Sequence, residues 1–118
     1  MDSDKQEQGL RLIHNLAQSL DLSREDIGTM LGVTGAQVVA WEDGTQPLPE
    51  TVLGKLHCAN NALGQLLTMF LPARLPQVIR RRADAFNGER ALDWILDGRI
   101  SDVAETYDSG LSYLQKTA

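Results

Sequence analysis

Between Leu22 and Pro49 the chain is punctuated so closely that only short helices fit, and this constrains the fold more than any other feature. Ser23-Arg24-Glu25-Asp26 has the spacing of a helix start, a hydroxyl followed three residues later by a carboxylate. Ile27, Met30 and Leu31 give the helix that follows its apolar face. Gly32 ends it, since glycine takes up the left-handed closing conformation without steric cost. Thr34 begins the next helix, with Val38 and Trp41 at inward spacing, and Gly44 stops that one. Pro47 and Pro49 then mark a loop.

Longer helices flank this pair. Leu10, Ile13, Leu16, Ala17 and Leu20 recur at helical spacing and predict a first helix over 5–20. After the loop, a long helix is predicted from Pro49 to Leu71. Within it Leu53, Leu56, Asn60, Leu63, Leu67 and Phe70 step by alternating threes and fours, a heptad seam with one polar member. Two readings stand for that seam. It is one face of a core helix, or it pairs across a homodimer with Asn60 fixing the register. Pro72 and Pro76 mark a break, after which helices are predicted over 76–86, 89–97 and 101–109. Ile100, Val103, Ala104 and Tyr107 form an apolar stripe on the last. Gly110 either caps that helix and releases a tail, or the helix runs on, because Leu111 and Leu114 continue the stripe. No period-two run of β-branched residues occurs, so an all-α fold is expected, divided into a domain over 1–71 and a small helical domain over 72–118.

Charge narrows the function. Residues 1–60 hold Lys5, Arg11, Arg24 and Lys55 against nine acids, whereas residues 61–118 hold seven of each sign. The half containing the paired short helices is thus the acidic half, although a DNA-binding surface gains affinity by neutralising phosphates. Arg80-Arg81-Arg82 is the only basic cluster. It reads either as a solvated helix with local ion pairs or as a contact for phosphate or an acidic partner. The acidic, polar start MDSDKQEQ is unlike a secretory leader, and the single cysteine, Cys58, lies in an apolar helical run and is expected in the core. Together they point to a reducing cytoplasm. His14 and His57 have no nucleophile or paired acid at catalytic spacing. No enzyme activity, cofactor or metal site is therefore expected.

Residues 10–60 resemble a helix-turn-helix of the Xre/Cro-repressor type. The resemblance rests on the capped helix from Ser23, Ile27, the Leu31-Gly32-Val33 turn, Val38, Trp41-Glu42-Asp43-Gly44, and the later proline with the Leu56 helix. The whole chain is also similar to the Xre/MbcA/ParS antitoxins, through Arg90-Ala91-Leu92-Asp93-Trp94-Ile95-Leu96-Asp97-Gly98, a helix containing Val103 and a late glycine. The resemblance implies a lambda-repressor-like fold followed by a small C-terminal helical domain. It implies a homodimer that represses its own operon and neutralises a RES-type, NAD-degrading toxin with its C-terminal domain and tail. Partner contact then falls to Trp94, Tyr107, Leu111, Tyr113 and Leu114, although Ala91, Leu92 and Ile95 around Trp94 suit a core position equally; the dimer reading of the heptad seam takes Leu56, Asn60, Leu63, Leu67 and Phe70.

In such readers the first turn of the second short helix points into the major groove. Here the outward positions are Gly35, Ala36, Val39, Ala40 and Asp43, with no arginine, lysine or asparagine. Ala36 and Ala40 can touch a thymine methyl but cannot hydrogen-bond a base edge. Gln37 is the one amide, and Thr34 three residues before it completes a capping box that can turn Gln37 back on the backbone. The family's frequent Asn-Gly-Lys reads Asp43-Gly44-Thr45. The residues expected at DNA are Arg24, for a phosphate, and Thr34, Ala36, Gln37, Ala40 and Thr45. The alternative is a protein-interaction module or phage-type regulator that keeps the fold with little DNA recognition of its own.

Overall fold

In the computed structural model, the backbone is described for residues 2–117 and the side chains for residues 4–110. Helix α1 runs Asp2–Leu20, α2 Arg24–Leu31, α3 Gly35–Glu42, α4 Glu50–Met69, α5 Leu75–Val78, α6 Ala91–Leu96 and α7 Ile100–Thr117. A 3-10 turn, Asp84–Phe86, lies between α5 and α6. The described residues contain no strand; an isolated antiparallel bridge joins Arg82 to Arg90.

The caps explain the short helices. The Asp26 amide donates to Ser23 Oγ and the Ser23 amide to Asp26 Oδ2, both at 3.1 Å. Each bond satisfies an amide that the first turn of a helix leaves without a partner. Gly32 closes α2 at φ +79°, in the left-handed region. Two residues later Thr34 caps α3, its hydroxyl accepting from the Gln37 amide at 3.2 Å. The crossing of α2 and α3 depends on two residues without side chains. A Cβ on Gly28 would stand 2.8 Å from the Val33 carbonyl oxygen, and one on Gly35 3.0 Å from Glu25 Cγ.

Around this pair, α1 packs on α4, and α4 on α7. Leu16 and Leu20 of α1, Ile27 of α2, Val38 of α3 and Leu56 of α4 are buried in one apolar cluster with Ile79, Phe86, Ile95 and Val103. The core thus continues across the junction at residue 71. The loop before α4 is tied to α1 by a side-chain amide: Gln6 Nε2 donates to the Leu48 carbonyl at 3.2 Å, and Gln6 Oε1 accepts from the Leu48 amide at 2.6 Å.

Several expectations change. The single helix expected over 76–86 is instead α5, a bend and a 3-10 turn. Arg80 is the reason. Its guanidinium donates to the carbonyls of Leu20 at 3.0 Å, Pro76 at 2.7 Å and Asp21 at 2.6 Å. It thereby supplies positive charge to the C-terminal end of α1, where no basic residue of that helix stands. Arg82 donates to the Gly88 carbonyl at 3.3 Å. The cluster therefore lies outside any helix, with Arg81 and Arg82 exposed, and among the described residues it makes no ion pair. Gly110 does not cap; α7 continues through it to Thr117. Cys58 is exposed rather than in the core. Of the two readings of the α4 seam, Leu56 and Leu63 follow the core-face one rather than the dimer one: both are buried in the chain's own core, because α1 and α7 both pack on α4.

Candidate nucleic-acid interface

The outward side of α2 and α3 brings together most of the residues expected at DNA. Ala36 and Gln37 are exposed in the first turn of α3, and Ala40 is half-buried one turn on. Thr34 is occupied as the cap of α3. The Gln37 backbone makes its half of the capping box; among the described residues its side chain makes no return bond, so the amide stands free beside Ala36. Thr45 is exposed, but its hydroxyl is engaged, donating to the Ala40 carbonyl at 3.1 Å. The Thr45 and Gln46 amides reach the same oxygen, at 3.0 and 3.2 Å, and close the end of α3.

Arg24, expected at a phosphate, is paired inside the chain. Its Nε and Nη2 each lie 3.0 Å from Glu42 Oε2. The Glu42 hydrogen bond, then the Glu42 charge, with Asp43 adding to it, raises the Arg24 pKa above its ordinary value. The pair ties the first residue of α2 to the last of α3. A phosphate would have to share the guanidinium with a carboxylate already in place. Sequence reading missed Glu42 in this role, since the two residues stand 18 apart and only the crossing of the helices joins them. It also read Gly35 only as a missing contact. A Cβ there would come within 3.0 Å of Glu25 Cγ and 3.3 Å of its Cα, so Gly35 also serves the close approach of α3 to α2.

The residues expected at a protein partner form a second group. Phe86 is fully buried, and Trp94 and Tyr107 meet it edge-on, with ring centroids 4.8 and 5.1 Å away. Phe70 meets Tyr107 in the same way at 4.9 Å. Edge-to-face packing matches positive ring edges to negative faces. Burial raises the Tyr107 pKa. Trp94 Nε1 donates to Glu89 Oε2 at 2.9 Å, and the Arg99 guanidinium lies 4.3 Å over its ring, held by Asp102 at 3.0 Å. Trp94 and Tyr107 are thus half-buried parts of an aromatic cluster rather than free surface groups. Phe70, assigned to the dimer seam, belongs to that cluster. Asn60 and Leu67 are half-buried on α4. The side chains of Leu111, Tyr113 and Leu114 lie outside the described residues.

A cleft of about 690 Å³ separates the end of α2 from the α6–α7 junction, and Lys55, Cys58, Gly98 and Ile100 are among the residues along it. Among the described residues, no group of three or more metal-ligating side chains converges, and no helix is long and apolar enough to cross a membrane. No family model, curated protein or solved structure matches the chain.

Proposed function

We propose that this protein is a DNA-binding repressor of the Xre type, with α2 and α3 as its helix-turn-helix, acting as a homodimer. We further propose that it is an antitoxin that autoregulates its operon and neutralises a RES-type toxin through residues 72–118. The observation that carries the DNA reading is the free outer side of α3. Two short helices joined by a tight turn bury Val38 and Trp41, and leave Ala36, Gln37 and Val39 exposed. That is the disposition a major-groove reader needs. The free amides at the starts of α2 and α3 add donors for phosphate oxygens.

A second reading has its own support. The Arg24–Glu42 pair, with Asp43 and Glu25 nearby, makes the flanks of α3 acidic, which suits a protein partner better than a phosphate backbone. Fluorescence anisotropy separates the two. The probes are a duplex from upstream of the gene and a scrambled duplex, each at two salt concentrations. Tight binding to the first alone supports the repressor, and its salt slope counts phosphate contacts. No binding to either at low salt leaves the interaction module. The antitoxin assignment is tested separately by co-expression with the product of the neighbouring gene. Failure to form a complex, or to relieve that product's toxicity, would remove it.

A further inference from the structure

The outer positions of α3 follow the spacing of one helix face: Ala36, Val39, Ala40 and Asp43. The first three end in methyl groups. Val39 is 37% exposed and, with Leu71, one of two large apolar side chains left in water among the described residues. Leu67, Phe70 and Tyr107, which are more covered than Val39, pack against the core. Three small side chains also fall short of the roughly 300–600 Å² that the largest apolar patch of an ordinary monomer reaches.

In the major groove, thymine is marked by its 5-methyl group as well as its O4 acceptor. The Ala36–Val39–Ala40 face has no donor for O4 or N7, so of all base-edge features only the methyl suits it. Resting on the DNA reading above, we propose that Val39, flanked by Ala36 and Ala40, is the specificity-determining residue and selects thymine by its 5-methyl group. The free Gln37 amide beside it can take the adenine N6–N7 edge of a neighbouring pair.

The test starts with selection from a pool of random 20-base-pair duplexes at low salt. The enriched duplex is then resynthesised with deoxyuridine for thymidine, which removes only the methyl groups. One lost methyl contact should weaken binding about fourfold, and about fifteenfold where a symmetric dimer makes the contact twice. Val39→Ala, at an exposed position, should keep the melting temperature and shrink the thymine-to-uracil ratio. Equal affinity for both duplexes overturns the inference while leaving DNA reading intact. An unchanged ratio in Val39→Ala also overturns it, since the methyl is then sensed elsewhere. No enrichment from the pool removes DNA reading itself, and this inference with it.

Discussion

The α2–α3 pair and the segment from Leu75 to Ile100 are both built from short helices, yet different forces hold them. In the first, the determinants are neighbours in sequence: Ser23 with Asp26, Thr34 with Gln37, and Gly32 between. In the second, they come from far along the chain. Phe86 meets Tyr107, and Arg80 reaches back 60 residues to the Leu20 carbonyl. Short helices are marginal alone. Both regions therefore need packing, but in the first the local caps lower what packing must supply, and in the second distant contacts supply nearly all of it.

The sharpest way to break this comparison is Phe86→Ala. Phe86 is fully buried and touches two aromatic rings, so its truncation should cost about 3–5 kcal/mol in denaturant unfolding. A loss below that of a single cap would mean that the C-terminal segment does not depend on its cluster. Arg80→Ala comes next. Three carbonyls lose a charged donor, and the expected loss is about 1.5–3 kcal/mol. Arg81→Ala, one residue on and exposed, should stay within about 0.5 kcal/mol. Equal effects of the two would show that the run acts by charge alone.

Within α2–α3, Gly28→Ala should cost roughly 1–3 kcal/mol, because the added methyl meets backbone rather than a movable side chain. This loss opposes the gain of about 1 kcal/mol that alanine brings to a helix interior. Net stabilisation would show that the crossing can open. The caps are smaller. Ser23→Ala and Thr34→Ala should each cost about 1 kcal/mol by thermal unfolding, with Gly at either site costing less than Ala.

The same division decides what the sequence made legible. Both caps, the closing role of Gly32 and the inward Val38 and Trp41 could be read because each rests on residues within four positions. The course of 76–86 could not. Arginines there suit a helix, and nothing nearby says that Arg80 will leave it for the end of α1. The heptad pattern of α4 was correctly seen as apolar. Periodicity gives a face and not its occupant, so Leu56 and Leu63 could not be assigned to the chain's own core before α1 and α7 were in place. At the candidate interface, the bare face of α3 was visible in the sequence. The pairing of Arg24 with Glu42 required the crossing of two helices.

The smallest effect sharpens the comparison from the electrostatic side. Asp93 accepts from the Arg90 amide at 3.2 Å and from its guanidinium at 3.2 and 2.7 Å, a local device within the region otherwise held by distant contacts. The Arg90 hydrogen bond, outweighing desolvation, lowers the Asp93 pKa. A carboxylate with a depressed folded pKa adds stability that is full above its unfolded pKa and is lost as pH falls through the folded value. Stability contributed by Asp93 should therefore be constant at neutral pH and fade below the ordinary carboxylate range. The pair is solvent-exposed, so its contribution is small. Asp93→Asn should lower the midpoint slightly at pH 7 and flatten the acid limb of the melting temperature. An equally steep acid limb in the variant would move that dependence to other carboxylates, and leave the C-terminal segment without a local electrostatic anchor.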